Sequence, residues 1–436
     1  SWLSNATLES SKNSLSRLTY MESVDFETVR LPGEEDKVDV NFTVKEQPSG
    51  AFNAGIGYGD RTKLSLQAGI QQDNFLGTGK RIAFNVSTVS YQKSVQLSYT
   101  DPYFTIDGIS LGGSVSYSEF DGSSANLIQY NSKQFSVGSN IGYPIDQFNR
   151  INFGLTYSTV ELFQNQPFVQ TTRFNNQFVD ENNPDAAINY DSFLASVAWS
   201  RSTLNRGVFP TAGSSQRASF GITTPNSDVN YFKTELDGKW YFPLSRNQRW
   251  SFLARLKMGY GNGYGDVGGI DQILPFTQHF TAGGADSLRG FENNTVGPRG
   301  LQTTPGTVVT DPNGKVILGN DANDSISLST RSLGGNAMIL GGVELIVPTP
   351  FVDVDFDNSV RTSLFVDVGN VWDTEFDYDG YKTLDVNNSF NDDGLIDYSD
   401  PTLYRASGGV SVQWLSPMGP MVFSFSKVIQ EREGDD

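Results

Sequence analysis

The sequence predicts an all-β protein, a transmembrane antiparallel β-barrel, and three observations carry that expectation. From Gly50 onward, apolar and polar residues alternate almost without a break. The alternating segments run to about ten residues, the length of a strand tilted across a bilayer, whereas soluble sandwich strands average about five or six. Short connectors alternate with long ones, as periplasmic turns alternate with outer loops. Composition agrees with a membrane wall. Charged residues make up 18% of the 436 positions, and there are 30 Phe, 18 Tyr and 44 Gly. No apolar stretch reaches the roughly 18 uninterrupted residues of a membrane helix.

The elements follow in order. Ser1-Trp2-Leu3-Ser4-Asn5 has neither a charged start nor an apolar core, so any export signal is expected to have been removed. Leu8, Leu15 and Leu18 recur at helical intervals behind a possible N-cap at Ser4, which predicts one amphipathic helix from Ser4 to Leu18. Residues 22 to 30 and 37 to 46 alternate with period two around Pro32-Gly33, which predicts a hairpin. A helix and a hairpin cannot bury a core alone. Residues 1–48 are therefore either an N-terminal extension or the closing part of a small α+β domain.

Residues 49–436 hold the barrel. Leu64, Leu66, Ala68 and Ile70 form one apolar face opposite Ser65, Gln67, Gly69 and Gln71, and the pattern returns through Phe153 and Leu155, Phe252 and Leu256, and Leu364 and Val366. Fifteen strands are expected, centred near 55, 67, 85, 98, 115, 138, 154, 197, 219, 236, 255, 341, 365, 409 and 423. Single-chain bacterial barrels use even numbers. The expectation is thus a sixteen-stranded type whose last strand is missing, with Val428 to Asp436 read as an outer loop. Short connectors at 73–79, 101–107, 144–149, 243–247 and 416–420 define the periplasmic end, where Pro stands beside aromatic residues in Asp101-Pro102-Tyr103-Phe104, Tyr143-Pro144, Phe209-Pro210, Phe242-Pro243 and Pro350-Phe351; long ones at about 161–189, 263–333 and 373–401 define the outer end.

Several functions are excluded early. Lys+Arg 31 against Asp+Glu 49 gives a net charge of −18, and no basic stripe is present to neutralise phosphates, so nucleic acid is not an expected partner. With no Cys and a single His, thiolate and multi-histidine metal centres and Cys nucleophiles are absent. His279, beside Phe276 and Phe280 in the longest loop, reads as incidental rather than catalytic, and no enzyme, cofactor or metal is expected. The acidic stretch Asp385 to Asp400, with Asn391-Asp392-Asp393-Gly394, lacks EF-hand spacing and reads as a solvated loop.

The loop 263–333 is too long for an ordinary connector, and such loops are disproportionately functional. It contains Gly283-Gly284-Ala285-Asp286-Ser287-Leu288-Arg289-Gly290-Phe291, followed by Asn294-Thr295-Val296-Gly297-Pro298. The Arg-Gly-Phe core resembles the sixth-loop motif of the BamA family, the barrel assembly factors of the Gram-negative outer membrane, although Leu288 stands where the family writes Val. The resemblance extends through Gly55-Ile56-Gly57-Tyr58-Gly59, Leu76-Gly77-Thr78-Gly79, Asp101-Pro102-Tyr103-Phe104 and Ser416-Pro417-Met418-Gly419-Pro420, and it likens the helix and hairpin to the second half of the last periplasmic POTRA domain. Parity turns Glu344, opposite Val343 and Leu345, and Asp367, opposite Val366 and Val368, toward the lumen. The resemblance implies that Arg289 sits between these two carboxylates, that Gly290 allows close backbone approach, and that Phe291 packs below the loop.

The first barrel strand carries Gly50, Gly55, Gly57 and Gly59. Glycine inside a strand weakens the ladder, which leaves two readings: room for a tightly curved wall, or a weak seam where the first and last strands meet. The resemblance implies the seam, a lateral gate along Gly50, Phe52, Ala54, Gly55, Ile56, Gly57 and Tyr58. It implies unfolded outer-membrane proteins as clients, accessory lipoproteins as partners, contact with outer-membrane lipid, and a place in the outer membrane of a Gram-negative bacterium. A TamA-like assembly factor or two-partner secretion transporter, and a passive porin, are the alternatives.

Overall fold

The computed structural model describes residues 4–16, 20–33, 37–59, 62–163, 168–178, 187–267, 269–303, 309–310, 316–317, 325–350, 359–381, 385–386, 395–416, 419–432 and 435. The N-terminal piece is helix α1 (Asn5–Ser16) against an antiparallel hairpin of Met21–Arg30 and Val38–Glu46. Leu8 and Val24 are its buried apolar side chains, and Phe26 packs on Phe42 across the ladder. The predicted end of the helix near Leu18 lies outside the described residues.

The wall is one antiparallel sheet of fifteen strands, each paired only with its sequence neighbours. In chain order they are β1 (Gly50–Gly59), β2 (Lys63–Gln72), β3 (Arg81–Val89), β4 (Gln92–Asp101), β5 (Ser110–Asp121), β6 (Asn131–Pro144), β7 (Asn149–Phe163) and β8 (Ile188–Ser202). They continue as β9 (Gly213–Thr223), β10 (Tyr231–Pro243), β11 (Ser251–Gly263), β12 (Ala337–Val347), β13 (Val360–Trp372), β14 (Arg405–Ser416) and β15 (Gly419–Gln430). All fifteen expected centres fall within these strands. Among the described residues, no register pairs β1 with β15.

Alternation gives each face its character. Side chains such as Ile56, Ile70, Leu97, Phe153, Leu364 and Phe425 are exposed outward, the apolar band a bilayer would cover. No helix among the described residues is long and apolar enough to cross a membrane. The inward face is polar along β1 to β7 and carries a packed core along β11 to β14, where the longest loop folds against it.

The long connectors are not loose. Gly122 to Tyr130, the segment around Phe174, Tyr190 on β8 and the Phe276 turn bring their aromatic rings together, with Tyr130–Phe276 and Phe174–Phe276 centroids 5.2 and 5.5 Å apart. A second cluster joins Leu301 to Phe376, Tyr381 and Tyr398. Within the longest loop, Arg299–Thr303 pairs with Ser325–Ser332. The loop's expected bounds therefore shift: β11 runs through Gly263 and the wall resumes at Ala337.

The acidic end also differs from expectation. Val428 to Gln430 belong to β15, because their backbones continue the ladder with β14. Beyond them Asp435 returns to the wall, where its carboxylate takes the Arg405 guanidinium at 2.8 and 3.1 Å. A buried Arg with a bidentate partner holds Asp435 against the wall. Asn391 to Gly394, Phe351 and Pro417-Met418 lie outside the described residues.

Candidate functional site

The site is built where the longest loop meets the inner face of β11 to β14. The ladder places Arg255, Gly342, Asp367 and Ser407 in one cross-strand row, and Leu253, Glu344 and Phe365 in the adjacent inward row. Gly342 matters by what it lacks. A Cβ there would stand 2.5 Å from an Asp367 carboxylate oxygen and 3.1 Å from an Arg255 nitrogen. Its absence lets Arg255 donate to Asp367 across the intervening strand at 2.7 Å.

Arg289 enters from the loop. Its Nε and one terminal nitrogen donate to the two Asp367 oxygens at 2.7 and 2.9 Å, a bidentate fork. The terminal nitrogen also lies 2.9 Å from Glu344, and the guanidinium stacks over Phe365 with 3.5 Å to the ring centroid. Glu344 accepts a further bond from the Ser363 hydroxyl at 3.0 Å, and Ser407 donates to the Arg289 carbonyl. Asp367 is fully buried. Two guanidiniums thus neutralise two buried carboxylates, which is what keeps buried charges tolerable.

The flanking residues fix the loop's depth. Gly290 has φ +98°, and a Cβ on it would lie 3.1 Å from the Ser407 Cβ and 3.3 Å from the Ser426 hydroxyl. Gly290→Ala is expected to cost about 1–3 kcal/mol from backbone strain and crowding, read as a lower unfolding temperature in detergent. An unchanged temperature would show that the loop backs away freely. Phe291 packs with Leu288 and Val296 from the loop and Met338, Leu340 and Val371 from the wall, forming an apolar plug beside the charge pocket.

The expected seam residues all lie on β1. Phe52, Ile56 and Tyr58 are 71, 80 and 78% exposed. The Asp73 N–H donates to the Ser49 carbonyl, which sets the bonding alternation: Gly55 and Gly57 face β2 with their backbone groups, while Gly50, Phe52, Ala54, Ile56 and Tyr58 turn theirs to the free edge. A side chain would fit freely at Gly55, whereas a Cβ at Gly57 would meet the Ser65 hydroxyl at 2.6 Å. Anchor and seam are therefore separate sites.

Arg255, Ser363, Phe365 and Ser407 were not singled out from sequence. Arg255 was legible, since Ala254 and Leu256 face outward and parity turns it inward beside the row of Asp367. Ser407 carries no comparable signal.

His279 is not a free loop residue. It lies with Asp373, Asn336 and Arg173 around a cavity of about 330 Å³ beneath the outer loops. Burial lowers the imidazole's pKa from its ordinary value of 6.5, partly opposed by the Asp373 charge, and raises the Asp373 carboxyl. A histidine depressed on folding contributes stability above its unfolded value and loses it as pH falls. Relative to His279→Gln, the chain should therefore lose outer-loop protection, measured by hydrogen exchange, as pH drops below about 6.5. Parallel pH profiles would refute the coupling. Among the described residues no group of three or more acidic or His side chains is placed to hold a metal ion.

Comparison with known proteins adds the family. Residues 74–436 match the Omp85 superfamily domain. The chain is 31% identical over 98% of its length to the outer membrane protein assembly factor BamA of Neisseria meningitidis, covering 51% of that protein. It is 24% identical over 99% of its length to BamA of Nitratidesulfovibrio vulgaris, covering 45%. The chain thus spans about half the length of the curated relatives it matches. Among solved structures, BamA from Haemophilus ducreyi lacking POTRA domains 1–3 superposes with TM-score 0.83 at 33% identity, covering all of this chain and 77% of that one. CdiB from Acinetobacter baumannii, at 13% identity and TM-score 0.52, shares the fold, with 94% of this chain and 62% of that one covered.

Proposed function

The chain belongs to the Omp85 superfamily, and from that premise we propose that it is the barrel part of an outer-membrane protein assembly factor that folds and inserts other barrels without covalent chemistry. Its place is the Gram-negative outer membrane, with the helix and hairpin on the periplasmic side as the end of a POTRA domain. The clients are unfolded outer-membrane proteins, and accessory lipoproteins act through periplasmic domains.

The observation that carries this reading is the β1 edge. Alternate backbone groups from Gly50 to Tyr58 point away from β2, on the side where this reading places the meeting of the first and last strands. In hydrocarbon each unsatisfied backbone group costs several kcal/mol, so an exposed edge must be covered by a strand. A client strand that adds to β1 satisfies those groups as it enters, the physics of β-augmentation. Exchange of one ladder for another keeps the net cost small.

A passive porin is disfavoured by the lumen. Leu288, Phe291 and Val296 fill space beside β12 and β13 with apolar side chains, and Arg289 ties them there. Planar-bilayer conductance separates the readings: small or erratic currents are expected, and large steady ones would favour the porin. Insertion of a radiolabelled barrel client into vesicles holding the full-length protein tests assembly directly. Failure to accelerate insertion over empty vesicles would remove this reading.

A further inference from the structure

On the outward wall at the outer end, the ladder aligns Lys93, Glu119, Lys133 and Glu161 on four consecutive strands, β4 to β7. Charges facing lipid are costly at mid-membrane and cheap at its surface, so their height matters. Lys133 lies ten residues above Tyr143 on β6, the exposed aromatic at the periplasmic rim. At about 3.3 Å per residue and about 40° of tilt, that spans roughly 25 Å, the height of an outward apolar band. Below the row, Val95, Tyr117, Phe135 and Val137 are exposed apolar and aromatic positions. The row therefore stands at the level of the outer-leaflet headgroups.

Beside it lies a groove of about 290 Å³ that includes both lysines, with Ser90, Gln92 and Asn131 among its polar lining. Its carboxylates already have donors. Asp121 takes the Ser124 N–H at 3.2 Å and hydroxyl at 2.8 Å, and Glu119 takes the Tyr117 hydroxyl at 3.0 Å. Lys133 sits 3.4 Å from Glu161, half-exposed, with its ammonium 4.7 Å from the Phe163 ring centroid. For Lys93 no ion pair is recorded among the described residues. The two cations of the groove are the Lys93 ammonium and the Lys133 ammonium, the latter shared with Glu161.

We propose that this groove binds the phosphate group of an outer-leaflet lipid, with Lys93 as the principal cation and Lys133 as the second. Lipid is favoured over a protein surface because the groove opens immediately above the apolar band, so a headgroup reaches it while its acyl chains lie along Val95 and Val137. The bound lipid would fix the orientation of the β4 to β7 wall, on the side of the sheet nearer β1. This reading requires only that the chain stand in the outer membrane. It would survive failure of the client-templating mechanism.

The test uses the full chain in detergent, mixed with phosphatidic acid or phosphatidylcholine, with lipid retention read by native mass spectrometry. Phosphatidic acid should be retained preferentially, and each of Lys93→Gln and Lys133→Gln should weaken retention by about fivefold, the effect of one cation near an anionic surface. Lys45→Gln, an exposed lysine of the N-terminal hairpin, should leave it unchanged. Equal retention of both lipids, or no loss in the Lys93→Gln/Lys133→Gln double variant, would overturn the proposal. Inorganic phosphate that displaces the lipid at equal concentration would assign the groove to free phosphate and overturn lipid as its occupant. Lys93 is exposed and Lys133 half-exposed, and heat resistance in detergent checks that the wall remains folded.

Discussion

Arg289→Ala is expected to release the longest loop from the wall and to lower stability by about 3–5 kcal/mol, the usual cost of breaking a buried ion pair. The size follows from what remains. Asp367 and Glu344 stay buried while only Arg255 is left to neutralise them, and Arg255 is the more exposed of the two arginines, with its Nε 3.6 Å from Glu344. Arg289→Lys should recover part of the loss, because an ammonium can meet one carboxylate but cannot reproduce the fork on Asp367 or the stacking on Phe365. Arg255→Ala should cost less, since Arg289 continues to hold both carboxylates. Limited proteolysis between residues 264 and 336, with heat resistance in detergent, measures the order. If Arg289→Ala leaves both unchanged, the loop is held by the Leu288–Phe291 plug alone. Removing Glu344 and Asp367 together with Arg289 should be milder than removing Arg289 singly, because the two buried carboxylates are then gone and the charge left without partners is Arg255, the more exposed arginine.

Period-two alternation made the whole wall legible, because each barrel strand has one face in lipid and one in the lumen, and a single slip of register would expose polar groups to hydrocarbon. The outer cap was not legible. Phe174, Phe276, Phe376 and Tyr398 come from connectors with no period, and their packing depends on which loops the sheet brings together. The anchor was readable in halves. Parity alone turned Glu344 and Asp367 inward, but nothing in the local sequence aimed Arg289 at them; that came from the likeness of its motif. Gly342 reads as an ordinary strand glycine until the ladder sets it between Arg255 and Asp367. The start of the acidic ending misled: Val428 to Gln430 extend β15, although the charges that follow them read as a loop.

Ala54→Pro is expected to abolish client insertion while leaving the barrel intact, and Gly55→Pro to do nearly the reverse of that separation. Proline removes one N–H. At Ala54 that group points to the free edge of β1, so the ladder with β2 keeps all its bonds, and edge strands tolerate proline in this orientation. At Gly55 the lost N–H is one that faces Gln67 on β2, so the wall itself is damaged and heat resistance should fall. If the client pairs with β1 as its template, a missing donor in hydrocarbon costs several kcal/mol, and insertion should slow by about tenfold or more for Ala54→Pro. Rates come from protected client in vesicles containing the full-length variant, and wall integrity from the gel shift on heating. Normal insertion by a heat-resistant Ala54→Pro protein would show that clients do not read this edge. The remaining route would then be physical disturbance of the bilayer around the barrel, which needs no hydrogen bond from β1 and would be insensitive to any single backbone donor on it.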